Sequence, residues 1–149
     1  MGAAQQIERI ARIRQLEEDE SRRILELAIG ELAQLELALR AAHQRERAGR
    51  SLVAQSAVSG EIADRIAGME ESRSASRLAA TLAVRIRAAE GAVANLRADY
   101  LNKRTSRLQA ETLARNERAR EAQTNLRRAQ QALDDWHLNR KRRSDARKP

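Results

Sequence analysis

The sequence predicts an all-α fold, a long antiparallel coiled-coil hairpin, and three observations carry that prediction. Aromatic residues make up 1% of the 149 residues, with one Trp (Trp136), one Tyr (Tyr100) and no Phe. Large aromatics supply much of a compact core, so an ordinary globular interior is excluded. The one proline is Pro149, and nothing before it stops a helix from running on. The chain holds 29 Ala, 26 Arg and 17 Leu among 34% charged residues, the bias of long helices and coiled coils.

The first helix is expected over about residues 5–48. Its second half carries Leu25, Ala28, Leu32, Leu35, Leu39 and Ala42, alternating steps of three and four that make a coiled-coil seam. Ile7, Ile10, Ile13 and Leu16 read as a separate short stripe before it. Glu17 to Arg23 (EEDESRR) interrupts the two, with acids placed three or four residues before Arg22 and Arg23 to support the helix. Gly49 reads as the C-cap, after Arg45 and Arg47 in the last turn. Residues 49–59 read as the loop, and Ser59-Gly60-Glu61 as the entry to a second helix over about residues 60–138.

That second helix has one seam at Leu82, Ile86, Ala89, Val93, Leu96 and Tyr100. Another lies at Ala122, Leu126, Ala129, Leu133 and Trp136. Joining them requires a one-residue register shift through Asn102 to Arg107. Gly68, Gly91 and Ser72 to Ser76 are points where the helix could bend. At 1.5 Å per residue the two helices would measure about 66 Å and about 120 Å. Either some 35 residues of the second overhang, or it bends near Gly91 or breaks. An overhanging apolar seam implies a partner, because a lone amphipathic helix has nowhere to bury its stripe.

The net charge of +8 is uneven. Residues 1–59 balance nine Arg against nine acids, while the basic tail, residues 139–149 (NRKRRSDARKP), alone carries +5. Such a tail suits a phosphate backbone, an anionic membrane surface or an acidic protein face. With no cysteine there is no disulfide or thiol chemistry. No run of 18 apolar residues and no signal peptide is found, so a cytoplasmic location is expected. His43 and His137 stand alone, no phosphate-binding glycine loop occurs, and Asp134-Asp135 and Glu70-Glu71 point to different helix faces. The expectation is a protein that is not an enzyme and has no cofactor, metal or small-molecule substrate.

Two stretches resemble a known family. Ile10 to Glu20 (IARIRQLEEDE), followed by the Leu seam to Ala48, is similar to the opening of the FliJ family of flagellar export proteins, themselves similar to the YscO family of injectisomes. Gln130 to Arg143 (QQALDDWHLNRKRR) resembles the family's close, an apolar residue, an acidic pair, an aromatic and an Arg-rich tail. The resemblance implies a stalk of bacterial type III protein export, an antiparallel hairpin inserted into the hexameric export ATPase. It implies contact with the cytoplasmic domain of the export gate, export chaperones as further partners, and a peripheral place at the cytoplasmic side of the inner membrane. Ile7, Ile10, Ile13, Leu133, Trp136, Arg140, Arg142 and Arg143 would form the end entering the ring. There Ile7 to Leu16 would pair with Leu126 to Trp136, and Arg140 to Arg143 would read acidic loops. The family's gate contact uses apolar side chains and an aromatic near mid-chain. This sequence has no aromatic before Ala98, and Leu78 and Leu82 are the nearest candidates. A basic coiled coil that binds nucleic acid, or a generic coiled-coil scaffold, is the alternative; the charge-balanced seams and absent aromatic interleaving count against nucleic acid.

Overall fold

A computed structural model describes residues 2–145, with side chains through Arg143. Two helices account for it, α1 (Ala3–Ser59) and α2 (Ile62–Asp145), packed as an all-α helical hairpin. The reversal takes only Gly60 and Glu61. Gly60 sits at φ +76°, in the left-handed region that L side chains rarely adopt, and its N–H donates to the Ser56 carbonyl at 2.9 Å. Ser59 Oγ accepts the Glu61 N–H at 3.5 Å, and Asp64 occupies the first turn of α2, where an acid suits the helix dipole.

Residues 49–59 are therefore helical and not a loop, and Gly49 is no C-cap. Residues 139–145 continue α2 and are not a separate tail; 146–149 lie outside the described residues. α2 is one helix through Gly68 and Gly91.

Contacts divide the chain into two units, Asp19–Asn102 and a second made of residues 2–18 with 103–145. In the first, Gly49 and Gly68 bring the two helix backbones together. A Cβ on Gly49 would stand 2.7 Å from the Gly68 carbonyl oxygen and from the Ser72 amide nitrogen, closer than real Cβ atoms come. From there the facing positions are small. Ala42, Ala75 and Ala79 are buried with Leu25, Leu82, Ile86 and Val93, and Leu35 and Leu39 pack partly against them. Both seams expected in this unit face inward. Small side chains allow close helix approach. Ile24, Leu27, Leu37 and Val84 fall between the inward positions and are exposed. Ser21 is fully enclosed and donates its hydroxyl to Asp99 Oδ2 at 3.0 Å.

In the second unit α1 turns Ala4, Ile7, Ala11 and Glu18 inward, toward Lys103, Arg107, Ala110, Ala114, Glu117 and Glu121 of α2. Arg107 holds Glu18 by its Nε and Glu111 by its Nη1, the latter at 2.7 Å. Arg118 pairs with Glu8, and Glu121 accepts the Ala4 N–H at 3.2 Å, an anion at the start of α1.

Two expectations are corrected here. Ile10, Ile13 and Leu16 are exposed and form no inward stripe with Ile7. Steps of three residues fall about 60° short of a full turn, so by Leu16 the row has moved to the far side of the helix. The inward positions of α2 step by four and three from Lys103 to Glu121, three residues on from Tyr100, so no register shift occurs through Asn102 to Arg107.

Gly49→Ala should lower stability in urea or thermal unfolding. Displacing backbone in a packed site costs about 1–3 kcal/mol, against a gain of about 1 kcal/mol in helix propensity. Gly91→Ala meets nothing within 4 Å and should raise stability by about 0.5–1 kcal/mol in the same assay.

Candidate protein-docking face on α2

The face is built from residues that the hairpin leaves outside. Thr105, Leu108, Thr112, Arg115, Ala119, Ala122, Leu126, Ala129, Leu133 and Trp136 alternate steps of three and four, and every one is solvent-exposed. Leu108 and Ala122 each follow an inward residue, Arg107 and Glu121, by one position. At about 100° per residue the row lies roughly 150° around α2 from the side that meets α1. This is a second coiled-coil seam on the back of a helix that already uses its front.

The seam Ala122 to Trp136 expected from the sequence is the last part of this row. Beyond Glu121, which meets the first turn of α1, residues 122–143 are exposed throughout, with Leu126 71% and Leu133 58% exposed. The expected pairing of Ile7 to Leu16 with Leu126 to Trp136 is therefore corrected. Residues 2–18 lie against 103–121, and Trp136 meets neither Ile10 nor Ile13. The overhang is shorter than expected because α1 runs through Ser59.

Trp136 is 53% exposed. Its ring stands edge-on to His137, centroids 5.0 Å apart, and the Arg140 guanidinium lies 5.3 Å from its centroid. A cation over an exposed indole adds about 0.5–1 kcal/mol and orders both side chains. Arg142 and Arg143 are exposed one turn further on, in the last turn of α2. Leu108 and Leu113 line an open depression of about 490 Å³ with Thr105, Gln109 and Thr112.

The structure thus gathers Leu133, Trp136, Arg140, Arg142 and Arg143 on one stretch of helix. Ile7 is half-buried on the opposite, inward side of the pair, while Ile10 and Ile13 are exposed on α1. Leu78 is 42% exposed, but Leu82 is buried against Ala42 and Ala79 and is not available to a gate. Sequence reading missed Leu108 and its neighbours as part of the face. Stepping back from Ala122 by threes and fours would have found them.

Among the described residues no group of His, Asp and Glu could hold a metal ion, no buried side-chain polar atom lacks a partner, and no helix is long and apolar enough to cross a membrane.

Two exposed ion pairs tie the helices at the rim. Arg45 grips Glu71 with two bonds, 2.6 and 3.2 Å, and Arg118 binds Glu8. The guanidinium hydrogen bonds hold both carboxyls below their ordinary pKa of 4.5. A lowered folded-state pKa contributes stability that is complete above the unfolded value and lost as pH falls through the folded one. Unfolding midpoints should therefore fall on acidification below about pH 5, and the combined Glu8→Gln and Glu71→Gln variant should show a shallower fall. Glu61, whose carboxyl is raised by its hydrogen bond with Asp64, works in the opposite direction and would remain in that variant.

No protein-family model, curated protein or solved structure matches the chain.

Proposed function

We propose that this chain is a non-catalytic docking stalk of bacterial type III protein export. In this reading the hairpin is the rigid part, and the exposed end of α2 is the part that meets the hexameric export ATPase. The observation that carries the reading is the exposed Trp136 under Arg140, closing the apolar positions Ala122, Leu126, Ala129 and Leu133 and followed by Arg142 and Arg143. Trp and Arg are the residue types that dominate protein interfaces, and the basic run favours an acidic partner surface. The resemblance of Ile10 to Glu20 and Gln130 to Arg143 to the FliJ family makes the export ATPase and the cytoplasmic domain of the export gate the partners to test first. Such a stalk would work at the cytoplasmic side of the inner membrane, held there by the export apparatus.

Only α2 would enter a ring in this arrangement, since residues 122–143 have no length of α1 beside them. Leu78 is left as the exposed mid-chain candidate for the gate.

The test is a pull-down of the export ATPase hexamer by the full chain, by Trp136→Ala and by a chain ending at Leu138. The expected result is retention by the full chain and at least about tenfold weaker capture by both variants, the loss typical of an interface anchor. Undiminished capture by both variants would remove Trp136 and the basic end from the interface. Sub-micromolar binding to duplex DNA at about 150 mM salt, without ATPase binding, would replace the export reading with the nucleic-acid one.

A further inference from the structure

The outward row on α2 runs for four to five heptads, long enough to form a coiled coil of its own, and the hairpin does not cover it. We propose that it is covered by a second copy of this chain, the two α2 helices lying antiparallel and back to back about a two-fold axis between Ala119 and Ala122.

Reversal about that axis returns the row onto itself. It sets Leu108 opposite Leu133 of the second copy, Thr112 opposite its Ala129, and Thr105 opposite its Trp136. Each seam position then meets another seam position, the self-complementarity that a two-fold interface requires. Arg115, the one charge in the row, falls beside Leu126 of the second copy. A parallel arrangement would place Arg115 against Arg115 in the seam, at a repulsive cost.

The flanks agree. On one side of the row stand Gln109, Asn116, Gln123, Gln130 and His137, with no Asp, Glu, Lys or Arg among them, in a chain that is 34% charged. On the other side Arg104, Glu111 and Arg118 would fall nearest Asn139, Ala132 and Asn125 of the second copy. In none of these three flanking pairs do like charges face each other. Flanking positions set partner and orientation in coiled coils, and this set fits a copy of itself.

The inference does not rest on the export reading. It has one consequence for it, because self-pairing covers Trp136 and excludes a partner at that end while it lasts.

The full chain should show a molar mass rising with concentration from 16.7 kDa toward twice that value in sedimentation equilibrium. Leu133→Glu should weaken association at least about tenfold. Leu37→Glu, at a position 60% exposed and off the row, should leave it unchanged, with circular dichroism showing both variants helical.

The absence of native cysteine allows a test of register. Thr112→Cys and Ala129→Cys, oxidised separately, should stay uncrosslinked, because each thiol would lie about 26 Å along the axis from its own copy. Mixed, they should form a disulfide heterodimer. A chain that stays monomeric up to about 1 mM, equal weakening by Leu37→Glu, or disulfides formed by each variant alone would overturn the proposal.

Discussion

At Gly49 and Gly68 the backbones of α1 and α2 touch with no side chain between them. Gly60 reverses the chain three turns away from Gly49, and the paired glycines let the helices close on each other at once. Any larger residue would hold them apart where the hairpin has its shortest lever. The contact also fixes which residue of α1 meets which residue of α2 in this unit. Arg45 then faces Glu71, Ala42 faces Ala79 and Leu82, and Ser21 reaches Asp99.

Close approach changes what a seam is made of. With Ala42, Ala75 and Ala79 at the centre, little apolar area is gained per contact, and density replaces bulk. Polar residues fit such a seam when their partners stand opposite. Glu18 is buried because Arg107 reaches it, and Ser21 because Asp99 accepts its hydroxyl. The acidic stretch from Glu17 thus contributes to the packing, although it reads in sequence as an interruption. On α2, Leu108, Leu126, Leu133 and Trp136 lie in a second, outward row.

Much of the fold was legible in the sequence, and the reason is periodic spacing. The seams Leu25 to Ala42 and Leu82 to Tyr100 were visible because apolar residues recur every three and four positions, and both face inward. The stripe from Ile7 to Leu16 misled because hydrophobicity was followed at the expense of spacing. Stepping back from Leu25 by fours and threes reaches Ser21, Glu18, Arg14, Ala11, Ile7 and Ala4, and all of these but the exposed Arg14 are buried or half-buried. At the docking face, the composition of Leu126 to Trp136 was legible, but its direction was not. Two seams one residue out of step look like a shifted register in a linear reading. On the helix they are two different sides.

By itself, the sequence determined that this protein is helical, that it reverses once between two long helices, and that its basic, Trp-bearing end is unlike the rest. These follow from local quantities: absent internal proline, heptad spacing and the distribution of Arg. Only the tertiary structure decided that Gly49 lies inside a helix, that Glu18 is a core residue, that Leu82 is hidden, and that Leu108 to Trp136 looks outward. Each of these depends on what stands across from a residue on the other helix. A glycine is a cap or a contact point, and a glutamate a surface charge or a buried pair, according to a neighbour far away in sequence.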